Sequence, residues 1–247
     1  MKSVLIGVVG LLSLGNALPA VAADLPAKAP APAAAVTNWT GCYIGVEGGG
    51  NFGRTRSVAT GAPNPAVAGL PLTGTYDMSG GIAGGTVGCN YQAGLWVFGL
   101  EDDFSWTNKR GSASDLPPFP TTAINRYSED WLDTLRGRIG ITLDRALLYG
   151  TAGAAFAGTS ADVCNPVCVA DSKTRTGLVL GLGVEFAALQ NVSVKIEYLH
   201  ADFGSKTYFD PPPASGSVNT RNVSLIDDVV RAGINWRFYA GPVLAKD

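Results

Sequence analysis

Charge is scarce in this chain of 247 residues, where Asp, Glu, Lys and Arg together make up 15%. Its net charge is only −2 and no Lys/Arg cluster marks a groove, so a nucleic-acid partner is excluded. A hydrophobic content of 46% with so little charge also excludes a disordered chain. Yet beyond the N-terminus there is no apolar run of about 18 residues, which excludes a helical membrane protein. An apolar chain without a spanning helix is either a large soluble core or a barrel whose lipid-facing residues are diluted by alternation. The 32 glycines favour the barrel, because glycine weakens helices but suits closely packed, curved strands and tight turns.

The N-terminus reads as an export signal over residues 1–23. Lys2 is the positive head, Val4 to Leu14 the apolar core, and Ala20-Val21-Ala22 or Val21-Ala22-Ala23 the small-residue cleavage site. The apolar run is short for a retained anchor. Residues 24–38, rich in Ala and Pro, cannot pack a core and read as a periplasmic tether. Export allows disulfides to persist. In Cys164-Asn-Pro-Val-Cys168 the Asn-Pro step favours a turn that brings the two sulfurs together. A metal site there would need further His or Cys ligands nearby, and the sequence offers none.

From Trp39 onward, period-two alternation divides the chain into eight segments. They run over Gly41–Gly53, Met78–Gln92, Leu95–Trp106, Glu129–Leu143, Ala146–Gly158, Thr174–Ala187, Val192–Phe203 and Val223–Phe238. Short connections (93–94, 144–145, 188–191) alternate with long ones (54–77, 107–128, 159–173, 204–222). All long connections therefore lie at one end, as in outer-membrane barrels with short periplasmic turns and long external loops. The long loops are rich in Pro, Gly, Ser and Thr, which predicts mobility and names no ligand.

Within the segments, apolar stripes oppose charged faces. Trp96, Phe98, Leu100, Phe104 and Trp106 back onto Glu101 and Asp103; Leu135, Ile139 and Ile141 back onto Arg136 and Arg138. The same holds for Leu178 to Phe186 against Arg175 and Glu185, Val192 to Tyr198 against Lys195 and Glu197, and Val230 to Phe238 against Arg231 and Arg237. Periodicity alone fits a soluble two-layer sandwich equally well. Two features favour the membrane barrel. Trp39, Tyr91, Trp96, Trp106, Trp131, Trp236 and Phe238 gather at segment ends, where aromatic girdles belong. The charged faces, with Glu47 added, balance both signs, as charges in a narrow lumen must.

The segments also resemble the opacity-like, 25/31-kDa class of alphaproteobacterial outer-membrane proteins. The resemblance is carried by Trp-Thr-Gly-Cys-Tyr-Ile-Gly-Val at 39–46, Gly-Cys-Asn-Tyr-Gln at 88–92 and Val-Phe-Gly-Leu-Glu at 97–101. Leu-Arg-Gly-Arg-Ile-Gly at 135–140, Leu-Tyr-Gly-Thr-Ala-Gly at 148–153, Gly-Val-Glu-Phe at 183–186 and Val-Arg-Ala-Gly-Ile-Asn-Trp-Arg-Phe at 230–238 extend it. It implies an eight-stranded outer-membrane barrel over residues 39–238 with envelope, surface-antigen or porin-like roles, and it supplies no catalytic mechanism. Three positions depart from that class. Cys42 and Cys89 stand where such proteins usually carry an aromatic, either as a cross-strand disulfide or as two buried free thiols. Asp102 falls on the lipid face by parity, unless a bulge re-aims it or the site lies at the outer rim. Residues 239–247 extend past the terminal aromatic Phe238.

Other chemistry finds little support. Gly48 to Gly53 matches a dinucleotide-binding spacing, but no helical period follows to hold a pyrophosphate. His200 would be the base of a lipid hydrolase with Asp202 or Ser205 as helpers, yet positions 198 and 202 carry Tyr and Asp where a nucleophilic serine is needed. An eight-stranded interior is just wide enough for side chains to fill, so paired charges there would close a pore. The expectation is an all-β, eight-stranded antiparallel up-and-down transmembrane β-barrel, not an enzyme and without a cofactor, meeting outer-membrane lipid and lipopolysaccharide. A narrow porin stands second and a surface lipid hydrolase third.

Overall fold

The computed structural model describes residues 37–213 and 218–239. The expected export signal over residues 1–23, most of the expected tether over 24–38 and residues 240–247 lie outside that range. Eight antiparallel strands form a closed ring in sequence order: β1 (Gly41–Ala59), β2 (Tyr76–Ala93), β3 (Trp96–Ser114), β4 (Ile124–Leu143), β5 (Ala146–Cys164), β6 (Cys168–Ala187), β7 (Val192–Tyr208) and β8 (Arg221–Tyr239). Gly41 of β1 pairs with Tyr239 of β8, so the ring has no free edge.

The register fixes the geometry. Stepping round the paired residues from Gly41 through Asn90, Gly99, Arg138, Thr151, Gly181, Leu199 and Val229 returns to β1 at Asn51, ten residues further on. With strands about 4.8 Å apart and a rise of about 3.3 Å per residue, that stagger requires a tilt of about 40°. Each residue then climbs about 2.5 Å along the barrel axis, and each step to the next paired strand about 3 Å. Heights below are measured on this scale from Gly41, at the end with the short turns.

The wall is turned inside out relative to a soluble protein. Ile44, Val46, Leu100, Leu135, Leu148, Leu178, Leu180, Leu182, Ile196 and Ile234 are exposed, while the charged residues of the same strands are buried. Tyr91, Trp96, Phe186, Trp236 and Phe238 ring the wall within about 5 Å of the base, and Phe52, Trp106 and Trp131 at about 24–27 Å, a band matching an outer-membrane hydrocarbon layer of about 25 Å. Trp39 is a correction to the girdle: it is buried inside the base, where its indole donates to Thr142 Oγ1 at 3.2 Å and lies beneath Arg237. It precedes β1, so no alternation fixed its direction.

The strands outrun the segments expected from periodicity, reaching 17–20 residues, so much of the expected external loops is wall. Two phase changes hid this. The register of β4 shifts between Glu129 and Trp131, so that Glu129 and Leu132 both face in and Asp130 is out of step. The β7–β8 register shifts between Asp202 and Ser205, at Gly204, whose φ of 57° suits a residue without a side chain. Both bulges sit about 30 Å up, just beyond the apolar band, the rim position where barrels tolerate them. Tyr239, expected in a C-terminal extension, is the last residue of β8. Neither bulge lies near Asp102, which pairs in regular register with Val87 and Leu135 and is exposed on the wall about 14 Å up. Both ways of sparing this carboxylate the lipid face are therefore overturned.

Between the strand ends, the outer connections pack on one another. Leu72 and Phe119 are buried together with Ala59, Leu116 N donates to Leu72 O at 2.8 Å, and Thr60 N donates to Thr220 O at 2.9 Å. Both cysteine pairs are disulfides, Cys42–Cys89 across β1 and β2 and Cys164–Cys168 across the β5–β6 turn. Cys42 and Cys89 lie on the exposed face, so the buried-thiol alternative falls.

Candidate functional site

The chemistry of this molecule is concentrated in its lumen. Glycines of β1 allow close approach: a Cβ at Gly53 would lie 2.7 Å from Asp227 Oδ1 and 3.4 Å from Lys109 Nζ, and one at Gly49 2.6 Å from Arg231 Cα of the paired strand. The run 48–53, which matched a nucleotide-binding spacing, is thus mid-strand backbone against which long side chains lie.

The lumen is filled in layers. At the base, Trp39, Val97, Leu147, Tyr149 and Ala187 form an apolar floor, with Arg237 over the Trp39 ring at 4.8 Å and donating to Gln190 O at 3.0 Å. Above it, at about 5–17 Å, lies a network of buried ions. Arg136 is its hub: Nη2 is 2.6 Å from both Glu101 Oε1 and Asp103 Oδ1, and Nη1 is 2.8 Å from Glu197 Oε1. Arg231 bridges Glu47, Asp103 and Glu197, the last at 2.7 Å. Lys195 Nζ reaches Glu101 at 3.1 Å and Glu47 at 3.3 Å. Arg138 pairs with Glu185 and stacks 3.6 Å from the Tyr149 ring centre, and the Tyr43 hydroxyl donates to Glu101 at 2.6 Å. Glu101, Asp103 and Glu197 lie close enough together to hold a metal ion, but the cation among them is the Arg136 guanidinium.

Next comes an apolar belt. Ile82, Leu132, Ala155, Val179, Leu199, Ala201 and Val229 all point inward and pack as one cluster at about 19–25 Å. Beyond it is a second ionic group that the sequence reading missed. Lys109 Nζ lies 2.8 Å from Glu129 Oε2 and 2.5 Å from Asp227 Oδ1, and Asn51 Nδ2 donates to Glu129 at 2.8 Å. Lys109 stood in an expected loop, Glu129 lies across a phase change from the rest of its strand, and Asp227 is beside the similar Asp228. Continued alternation through Thr107 and Lys109 was the available signal. Arg175 is in the lumen too, but its partners are carbonyls: Gly204 O at 2.7 Å and Val223 O at 2.9 Å, freed or bent by the β7 bulge, plus the Tyr127 hydroxyl at 2.9 Å. At the outer mouth, burial pushes the Asp115 carboxyl above its usual range, partly offset by a hydrogen bond from Asn125 at 2.7 Å and by Arg221.

Among the described residues eight acids (Glu47, Glu101, Asp103, Asp115, Glu129, Glu185, Glu197, Asp227) and eight bases (Lys109, Arg136, Arg138, Arg175, Lys195, Arg221, Arg231, Arg237) are buried. Equal numbers make the lumen formally neutral, as a poorly solvated interior requires. Outside, His200 faces away from the lumen, its Nδ1 2.8 Å from Asp228 Oδ1, which also accepts from the Tyr198 hydroxyl at 2.6 Å. Asp202 instead accepts from Gly204 N at 2.8 Å, and Ser205 sits beside the bulge, so neither of the expected helpers serves this histidine.

Comparison with known proteins agrees with this architecture. The outer membrane protein beta-barrel domain matches residues 22–238. The 31 kDa outer-membrane immunogenic protein of Brucella melitensis is 32% identical over 258 residues, which covers 96% of this chain and 100% of that one. The 22 kDa outer membrane protein of Rhizobium leguminosarum bv. viciae is 30% identical over 183 residues, covering 72% of this chain and 71% of that protein. A solved structure of the outer membrane protein OprG from Pseudomonas aeruginosa aligns over 82% of this chain and 99% of that one, with 13% identity and a TM-score of 0.46. A closed ring of eight strands, an apolar outer wall, a domain match over most of the length and a relative matched end to end make this chain a member of the outer-membrane β-barrel family, resident in the bacterial outer membrane.

Proposed function

We propose that this protein is a non-catalytic, closed barrel that strengthens the outer membrane and holds a compact cap of connections at the cell surface. The observation that carries this reading is the layered filling of the lumen. Paired ions fill the lumen below, seven apolar side chains from β2 and β4–β8 narrow it above them with only Ser105 and Asn51, among the described residues, as polar neighbours at that height, and a second ionic group lies beyond. An ion crossing this level would exchange its hydration for one hydroxyl and one amide among apolar side chains, a barrier of the kind by which hydrophobic constrictions stop conduction.

The surface available to partners comprises the connections 60–75, 115–123, 165–167 and the described part of 209–220. Arg54, Arg56, Arg110 and Arg126 face outward on the wall above the Trp106 and Trp131 level, at the height of lipid headgroups. That placement favours contact with the phosphates of lipopolysaccharide. Planar-bilayer recording tests the closed-barrel reading: the expected result is no more than rare small steps, and large stable steps would establish the porin instead. For the hydrolase reading, His200 has its orienting carboxylate but regular pairing sets Leu180 and Asp228 beside it, with no serine. Lipid mass spectrometry of cells carrying wild type or His200→Ala is expected to give the same acyl pattern.

A further inference from the structure

The membrane-facing wall carries polar groups on two opposite sides, and their heights match. On one side, Asp102 of β3 and Asp133 of β4 face out at about 14 and 22 Å. On the other, Tyr198 and His200 of β7 face out at about 16 and 21 Å. Four strands separate β3 from β7 in a ring of eight, so the two sides point in opposite directions.

Each side is incomplete alone. A carboxylate on the lipid face is destabilising at this depth, and Asp133 Oδ1 is shielded from solvent without a hydrogen-bond partner among the described residues. On the opposite side Asp228 holds only the Nδ1 edge of His200, whose side chain remains 46% exposed. Nε2 therefore points away from its own barrel. Shape agrees with charge. The aspartates are flanked by Val87, Leu135, Phe104 and Phe156, but at and below the level of Asp102 Gly137 and Ala152 face out and leave a shallow patch; beside and below His200, Leu180 and Ile196 stand 61% and 62% exposed. Small residues let membrane-embedded backbones approach closely, and large ones fill the hollow.

We propose that copies of this chain pack side by side in the membrane, the Asp102/Asp133 side of one barrel against the Tyr198/His200 side of the next. One proton shared between Asp133 and the neighbour's His200 Nε2 joins them at the outer level. The two surfaces differ and lie on opposite sides, so the contact is head to tail. It does not close on itself and generates open rows.

Cysteine cross-linking in native outer membranes tests this. Full-length protein carrying both Asp133→Cys and His200→Cys is expected to form, on mild oxidation, a ladder of dimers, trimers and higher products, because a disulfide needs Cα atoms within about 7 Å. A double variant pairing Asp133→Cys with Ile44→Cys, at another height and on another side, is expected to stay monomeric. Absence of a 133/200 ladder, a ladder of equal strength from the control, or dimers from Asp133→Cys alone, which would mean a symmetric contact or another occupant, each overturns the proposal. Energy transfer between labelled barrels in liposomes gives a second readout. Asp133→Leu, which suits a lipid-facing site and leaves the lumen untouched, is expected to lower transfer to the random-mixing level; unchanged transfer overturns the proposal.

Discussion

The two ionic groups in the lumen solve one problem at different densities. The lower group ties five acids to four bases with shared partners, so that Arg136 and Arg231 each satisfy three carboxylates. The upper group has one lysine against two carboxylates and an amide. Buried ion pairs add little net stability, but removing one member leaves the others uncompensated. Dense sharing therefore makes the lower group brittle. The upper one has fewer dependants, and it sits at the level where the hydrocarbon ends.

That contrast can be broken experimentally. Arg136→Met should have the largest effect, abolishing the folded band on a heat-modifiability gel or lowering stability in urea by about 3–5 kcal/mol, because three acids lose their shared cation. Substitution in the belt between the groups, Leu132→Ala, should follow with a loss of about 2–4 kcal/mol in the same titration. If the belt is the seal, it should also raise leak of small ions from liposomes. Lys109→Met should cost less than Arg136→Met, about 1–3 kcal/mol, since it strands two buried carboxylates where Arg136→Met strands three. An equal or larger loss would make the two groups equivalent and void the distinction. Replacing Cys164 and Cys168 together by alanine should change least, under about 1 kcal/mol, because strand pairing already closes so short a ring.

The same contrast governs what could be read from the sequence. The lower group was legible because strands inside the hydrocarbon obey strict alternation: lipid penalises any inward-outward error, so Glu101, Arg136, Glu185, Lys195, Glu197 and Arg231 declare their direction by parity alone. Beyond the band that penalty disappears. Bulges then enter at Asp130 and Gly204, the outward positions become polar, and Lys109, Glu129 and Asp227 look like loop or surface residues. Trp39 misled for a related reason, since an aromatic next to a strand end suits a girdle and a floor equally and only the fold decides. Asp102 failed in the other direction. Parity placed Asp102 correctly, and the expectation that a carboxylate must escape the lipid face was the error.

The bulge at Asp130 acts on the wall as a frameshift acts on a message. Past that residue every side chain of β4 swaps inside for outside, so single-residue insertions or deletions in this protein are tolerable only where neither side of the wall faces hydrocarbon. Length variation among related barrels should therefore collect above the Trp131 level and be purged below it, drawing the membrane's outer boundary in the pattern of gaps.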